Sequence, residues 1–208
     1  MTRMLDIDYF LPEVLRYAPN TSDVVGQRHL ITAARELCTR LKIWRETDRF
    51  PITAPDMQGV CTIRDADIER IEAAFLDGVP LEPKTVAWLD DNEPAWSIDE
   101  EATGNSRYVT QLEPNTVTVV PRAEGTLNVR LILKPARDAL SLPAFLLNDY
   151  SNEIGRGAAA VILTDPNSEN PQLGIDHRAW FEGRLDTLAT KAAKGQQGAR
   201  LRTKGAYI

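Results

Sequence analysis

The sequence is poor in the residues that form covalent cross-links and most metal sites. It has two cysteines and two histidines among its 208 residues. Cys38 falls in a helical pattern and Cys61 in a strand-like one, and no CxxC spacing occurs. The sequence therefore predicts neither a disulfide framework nor a zinc site. We expect both thiols to be buried and inert.

Catalytic motifs and long apolar runs are also missing. The sequence has no GxSxG, no Walker loop and no HExxH, and its GRGAAA stretch follows a helical pattern and not a strand. We therefore expect no enzymatic activity, no catalytic residue, no metal and no cofactor. Asp6 and Asp8 interrupt the first apolar stretch, which predicts neither a secretory signal nor a membrane span. A cytoplasm-like compartment is expected.

Charge is unevenly distributed along the chain. The net charge is -6, yet residues 56–113 hold fourteen acidic residues against four cations, so this middle part carries -10 and the two flanks together +4. This division predicts an acidic face and a basic end that address different neighbours. A solvated acidic loop region with a cationic tail for solubility is the simpler alternative. With 43% hydrophobic and 26% charged residues, the composition is typical of a globular protein.

Helical periodicity occupies both flanks. Thr21 or Ser22 can cap a helix over 23–42, and LPEVLRYAP predicts a short helical turn before it. The apolar side of the longer helix comprises Val24, Leu30, Ala33, Ala34, Leu37 and Leu41. Downstream, helices are predicted over 144–163 and from Pro171 to about Lys194. The expected signals there are Pro143 in the first turn of one helix, and Asn170 and Gly195 as the cap and stop of the other.

Two glycines interrupt the first of these downstream helices. Gly155 and Gly157 each weaken a helix by about 1 kcal/mol relative to alanine. This loss of helix stability is understandable where another helix must approach closely. The two glycines therefore predict a close helix–helix contact at this point.

Residues 43–136 follow strand and turn patterns. The Asp77-Gly78 pair lies between two apolar runs and predicts a hairpin, with DIERIEAAFL as its first strand although the same run also suits a helix. The stretches RYVTQLE, NTVTVVP and TLNVRLILKP then predict an antiparallel meander, with turns at 114–115 and 124–125. The acidic stretch 88–105 is expected to be a long, mobile loop.

Together these patterns predict an α+β fold. A helical bundle formed by the N- and C-terminal helices would carry an inserted antiparallel β domain and an extended C-terminal arm. The predicted segments are an N-terminal helical segment at 1–42, the β-rich insertion at 43–136, a helical hairpin completing the bundle at 137–195, and the arm at 196–208.

Polar residues near the last helix offer one chemical alternative. Asp176, His177 and Glu182, near Asp165, could form a metal or acid–base site. His177, however, falls on the buried stripe of that helix, where a hydrogen-bonded core or interface histidine is the commoner case.

The arrangement of these stretches resembles the head-to-tail adaptor proteins of short-tailed phages, the group typified by the tail tubular protein A of podoviruses. The stretches that carry the resemblance are TSDVVGQRHLITAARELCTRLKIWRE, LDGVPLEP, VRLILKPARDALSLPAFLLNDYSNEIGRGAAAVILTDP, and NPQLGIDHRAWFEGRLDTLATKA with the basic tail that follows it. The resemblance covers nearly the whole chain as a pattern, and none of these stretches is a catalytic motif. The acidic insert at 88–105 departs from the family in length and chemistry.

The resemblance implies a structural role in the virion, at the tail or collar, after assembly in the cytoplasm of a bacterial host. The chain would form a homo-oligomeric ring, a dodecamer, that joins the portal protein to the tail nozzle or tail tube protein and surrounds the DNA exit channel. DNA would pass through with transient, nonspecific contact during genome ejection, and no membrane would be bound. A tail or baseplate component is the first alternative, and a small metal-dependent hydrolase is the second.

Two sets of interaction residues are expected, the first implied by the resemblance and the second by the residues of the acidic insert. The portal-binding set is Arg200, Leu201, Arg202, Thr203, Lys204, Gly205, Ala206, Tyr207 and Ile208. A tail whose apolar residues act as anchors and whose cations find charged partners can fold onto a groove, whereas a tail without a partner would be frayed. The set expected to bind the tail partner is Trp88, Trp96, Asp90 and Asp91, since exposed tryptophans are favoured at interfaces. The alternative is that both tryptophans cover the β domain.

Overall fold

A computed structural model describes residues 2–52, 59–60, 62–93, 96–97, 105–165 and 170–194. The fold is of the α+β class. Its strands are β1 (Met4–Asp6), β2 (Arg45–Ile52), β3 (Gly59–Val60), β4 (Ala66–Leu76), β5 (Val79–Pro83), β6 (Tyr108–Thr110), β7 (Thr116–Val120), β8 (Gly125–Pro135) and β9 (Ser141–Pro143). Its helices are α1 (Leu11–Leu15), α2 (Asp23–Leu41), α3 (Val86–Asn92), α4 (Ala144–Thr164) and α5 (Pro171–Lys194).

The chain divides into two compact units. The helical unit consists of residues 3–43 and 140–208, and the β unit consists of residues 1–2 and 44–139. In the helical unit, α4 packs against α1, α2 and α5, and α2 also contacts α5. Strands β1 and β9 form a short antiparallel ladder in the same unit.

Helix α2 has the expected extent. Ser22 is its N-terminal flanking residue, although its side chain makes no capping hydrogen bond, and Lys42 ends the helix in the left-handed conformation with φ of 54°. The predicted apolar side is buried from Leu30 to Leu41, and burial raises the pKa of the Cys38 thiol to about 12, as expected of an inert cysteine. The placement of Val24 was wrong, since its side chain is 75% exposed. One turn at the start of α2 extends past the helices that cover the rest.

Helices α4 and α5 also begin where the sequence indicates. The Asn170 side chain accepts a hydrogen bond from the Leu173 N–H at 3.3 Å, which confirms the predicted cap of α5. Helix α4 starts directly after Pro143 and is kinked at Tyr150, whose φ is -136°.

Gly155 and Gly157 lie where other helices touch α4. A Cβ atom at Gly157 would lie 2.9 Å from two ring carbons of Phe181 in α5 and 3.1 Å from the Cβ of Ala33 in α2. A Cβ atom at Gly155 would lie 2.8 Å from the carbonyl carbon of Glu13 in α1. Contacts this short leave no room for a side chain, so the predicted close approach is confirmed for both glycines.

The hairpin prediction is confirmed in the β unit. Asp77 and Gly78 have φ values of 48° and 85°, and the turn joins β4 to β5 with Leu76 opposite Val79. Two register shifts against β8, at Glu69 and Glu72, interrupt the alternation of β4. These shifts explain why the same run also matches a helical period.

The strand order corrects the predicted meander. The sheet runs β2-β8-β4-β5-β6-β7-β3, so β8 lies between β2 and β4 and does not pair with the preceding β7. In addition, β5 and β6 pair in parallel, and the insertion is therefore not antiparallel throughout. Strand β8 is eleven residues long, with four leucine and valine side chains at 0% exposure, and it pairs along its length with the eight-residue β2 and the eleven-residue β4. The five-residue β7 is too short to pair with the backbone hydrogen-bonding groups of β8 along its whole length.

The acidic stretch 88–105 was predicted to be a loop, and this prediction is wrong for its first residues. Its first residues belong to α3, whose N-terminal cap is Thr85, which accepts a hydrogen bond from the Trp88 N–H at 3.2 Å. Leu89 of this short helix is fully buried, and the Trp88 ring contacts Tyr108 of β6. The segments 94–95 and 98–104 lie outside the described residues.

Candidate functional site

The proposed portal-binding residues 200–208 lie outside the part of the chain that the structure describes, as does Cys61. Three features within the described residues remain as candidates. They are the tryptophans near α3, a cluster around His177, and a groove in the helical unit.

The α3 region brings part of the second interaction set together. The Trp96 Nε1–H donates a hydrogen bond to the Asp90 carboxylate at 2.8 Å. The Trp88 ring meets the edge of Tyr108 at a centroid distance of 5.1 Å, and the Lys84 ammonium lies 4.2 Å from the centroid of Trp88. Both tryptophans are half-buried, and Asp90 and Asp91 are exposed. Each indole thus has a partner within its own unit and stays partly exposed.

His177 occupies a cation–aromatic cluster in the helical unit. Its side chain is 6% exposed, and its Nδ1 accepts a hydrogen bond from the Arg156 Nε–H at 3.3 Å. The Tyr17 ring meets the imidazole edge-on at 5.3 Å, and the Arg156 guanidinium lies 4.1 Å from the centroid of Trp180. Tyr17 also donates a hydrogen bond to the Asn152 side chain at 2.5 Å. The cluster joins α4 and α5 to the segment that follows α1.

The other residues of the chemical alternative are engaged elsewhere. Glu182 forms ion pairs with Arg178 and Arg40, and the Asp176 carboxylate accepts a hydrogen bond from Gln172 at 3.2 Å. Within the described residues, no group of three or more histidine, cysteine, aspartate or glutamate side chains could hold a metal ion. The structure therefore does not bring Asp165, Asp176, His177 and Glu182 into one site. The sequence analysis did not identify Tyr17 and Arg156. The one signal that it could have used is the GRG context of Arg156, next to a close helix contact.

His177 gives the helical unit an acid-sensitive contact. Burial and the Arg156 charge lower the pKa of His177, and Asp176 opposes this effect. Since the folded pKa lies below the unfolded value of 6.5, the unfolded chain binds more protons between the two values. The stability that neutral His177 contributes is fully present above about pH 6.5, and it falls as the pH drops toward the pKa of the folded state. We expect the urea midpoint to fall between pH 7 and pH 5.

The control for this prediction separates the two histidines. Burial and then Arg28 lower the pKa of His29 as well, so that residue contributes a loss of the same sign. We expect the acid-induced loss of stability to be smaller in His177→Gln and smaller again in His177→Gln with His29→Gln. An identical loss in the wild type and in His177→Gln would contradict the assignment to His177.

A groove of about 930 Å³ opens in the helical unit. Its walls are residues 17–21, the first turns of α2, residues 160–165 at the end of α4, and the start of α5. Val25, Val161 and Leu173 contribute apolar surface and are 42%, 39% and 38% exposed. The only arginine among the lining residues is Arg178, whose guanidinium is held by Glu36 at 2.8 and 2.9 Å and by Glu182. The hydrogen bond with Glu36 raises the pKa of Arg178. Glu36 and Glu182 balance the positive charge of Arg178 within the protein.

Among the described residues, no helix is both long and apolar enough to cross a membrane. No protein-family model matches the chain, and a comparison with curated proteins finds no significant match.

Proposed function

We propose that the chain is the subunit of a phage head-to-tail adaptor ring. In this proposal the ring joins the portal protein to the tail nozzle or tail tube and surrounds the channel through which DNA leaves the capsid. Helices α1, α2, α4 and α5 form the bundle of each subunit, the sheet of the β unit is the insertion that meets the tail partner, and the basic residues 198–208 bind the portal. The subunit is a structural protein of the virion.

The observation that carries the proposal is how the chain is divided between the two units. Residues from both flanks, 3–43 and 140–194, belong to one unit, and the sheet is inserted between them. The family resemblance implies this order of parts. Helix α5 also ends at Lys194, directly before the stretch that carries Arg200, Arg202 and Lys204 without any acidic residue.

Exposed apolar side chains give each unit surface for neighbours. In the helical unit, Val24 and Ile175 are 75% and 52% exposed, and in the β unit Phe75 and Val79 at the hairpin are 43% and 58% exposed. A ring needs heterologous contacts that close on themselves, and such side chains are suitable for them. Many identical arms on one ring would then bind the portal far more tightly than one free tail.

Removal of residues 198–208 tests the proposal. We expect the shortened protein to remain folded, because the removed residues follow α5, and to attach to portal particles at least tenfold more weakly. Attachment is measured by co-sedimentation and by electron microscopy of portal particles mixed with the protein.

A matched pair of variants separates charge from length. The triple variant Arg200→Glu, Arg202→Glu and Lys204→Glu should lose attachment, whereas Arg200→Lys, Arg202→Lys and Lys204→Arg should retain most of it. Unchanged attachment of the shortened protein would refute the arm hypothesis. Binding to tail components without binding to the portal would instead indicate a tail or baseplate component.

A further inference from the structure

We propose that residues 195–208 of the same chain return along α5 and that Tyr207 and Ile208 occupy the groove of the helical unit. The groove offers apolar walls at Val25, Val161 and Leu173. A volume of about 930 Å³ is in the range of sites that bury several side chains. Leaving such walls in water forfeits favourable burial that an apolar segment would recover.

Chain length permits this return. Helix α5 rises about 32 Å between Leu173, at the groove, and Lys194, at about 1.5 Å per residue. An extended chain spans about 3.3 Å per residue, so about ten residues cover that distance. Of the fourteen residues 195–208, the last four, Gly205 to Ile208, would then lie at the groove. These four include an aromatic and an aliphatic side chain, which suit the apolar walls.

The surface of α5 offers a path for the returning segment. Ile175, Ala179, Gly183 and Thr187 are four residues apart, share one face of the helix, and are all exposed. A Cβ atom at Gly183 would have no atom of the described residues within 4 Å. Uncharged side chains of this kind, most of them short, let another backbone lie close to the helix.

Charge along this path matches the basic segment. At the same rises per residue, Arg200 would lie about 20 Å from Lys194, which is level with the turn of Glu182, and Arg202 would lie level with Asp176. Asp186, whose side chain is 71% exposed, is one turn closer to the end of the helix. The cations of the segment would therefore pass these carboxylates of α5, of which Glu182 and Asp186 also pair with Arg40. Arg178, the arginine that lines the groove, is itself paired with Glu36 and Glu182.

This contact does not rest on the adaptor role. It is a property of the isolated chain, whereas the adaptor role concerns a chain mixed with portal particles. If both proposals are correct, the portal must displace Tyr207 and Ile208 from the groove before it binds the segment, and the two surfaces compete for the same residues.

Site-specific photo-cross-linking of the full-length chain tests the proposal. With benzoylphenylalanine in place of Tyr207, irradiation of the purified protein and peptide mass mapping should give cross-links to Val25, Val161 or Leu173. An equimolar mixture of unlabelled and ¹⁵N-labelled protein then distinguishes one chain from two. We expect cross-linked peptide pairs of one isotope composition, and pairs of mixed composition would overturn the same-chain arrangement.

Variants of the groove complete the test. Val161→Asp should reduce the cross-link yield at the groove at least fivefold, because it places a charge against the apolar anchors. Val79→Asp, at a more exposed valine of the β unit, should leave the yield unchanged. If Val161→Asp alters the urea midpoint, Ile208→Asp provides the same test from the segment's side. Cross-links outside the groove, or equal yields in all variants, would overturn the proposal whether or not the protein attaches to the portal.

Discussion

Arg184→Met is expected to lower the free energy of unfolding by about 2 kcal/mol. Glu153 in α4 is 5% exposed, and its carboxylate accepts a hydrogen bond from the Arg184 Nε–H of α5 at 2.8 Å. The Arg184 side chain is 41% exposed, so the buried member of the pair is the carboxylate. Methionine retains much of the apolar stem of arginine but removes the charge and the donors. The variant leaves a carboxylate buried without its cation, which is costly because water cannot solvate it. Urea denaturation followed by circular dichroism measures the change.

Two further variants make this prediction specific to the buried pair. The double variant Arg184→Met with Glu153→Met should recover most of the loss, since replacing both partners by apolar groups removes the uncompensated charge. Arg40→Met breaks ion pairs of the same chemistry with Glu182 and Asp186, at side chains that are 36% to 71% exposed, and should cost less than about 1 kcal/mol. A double variant less stable than Arg184→Met would contradict the prediction.

Gly157→Ala is expected to lower the free energy of unfolding by about 1 kcal/mol, although alanine favours a helix. The new methyl group would lie 2.9 Å from the Phe181 ring and 3.1 Å from the Ala33 Cβ, and Phe181 is fully buried. Overpacking of this kind costs about 1–3 kcal/mol. The gain in helix propensity is about 1 kcal/mol and offsets only part of it.

Gly183→Ala is the matched control for Gly157→Ala. Gly183 lies in the interior of α5, and no atom in the described part of the chain is near its missing Cβ, so alanine there should raise the free energy of unfolding by about 0.5–1 kcal/mol. The opposite signs of two identical substitutions would isolate packing from propensity.

A double-mutant cycle identifies the crowded neighbour. Phe181→Leu alone should destabilise the protein because it removes buried ring atoms, but it should make Gly157→Ala less costly by vacating space. Strict additivity of the two substitutions would indicate that the Phe181 ring does not limit the space at Gly157.

The local elements of this chain could be predicted because their signals act over a few residues. The Asn170 side chain reaches the N–H at Leu173, and the Asp77-Gly78 pair adopts positive φ values that few other pairs accept. The glycines of α4 indicated close helix contacts, since such a cost in helix stability is otherwise unexplained. Each of these signals depends on backbone geometry within one turn of the chain.

Strand partnership could not be predicted in the same way. The segments β7 and β8 are neighbours in sequence, yet β8 lies between β2 and β4, because two long strands satisfy its hydrogen-bonding groups and a five-residue strand cannot. The exposure of Val24 has a similar origin: a helical period shows which side chains share a face but not where the covering helix stops.

For the candidate sites, the sequence determined the residue types and the tertiary structure decided their neighbours. Helical spacing placed His177 on the buried side of α5, but Tyr17 and Arg156 come from distant parts of the chain and reach it only after the helices pack. The groove has no sequence pattern because its walls come from four separate segments. The sequence by itself determined α1, α2, α4, α5, the hairpin and the basic stretch, since local backbone preferences and charge fix these. Only packing over long sequence separations decided the strand order, the partners of His177 and the groove.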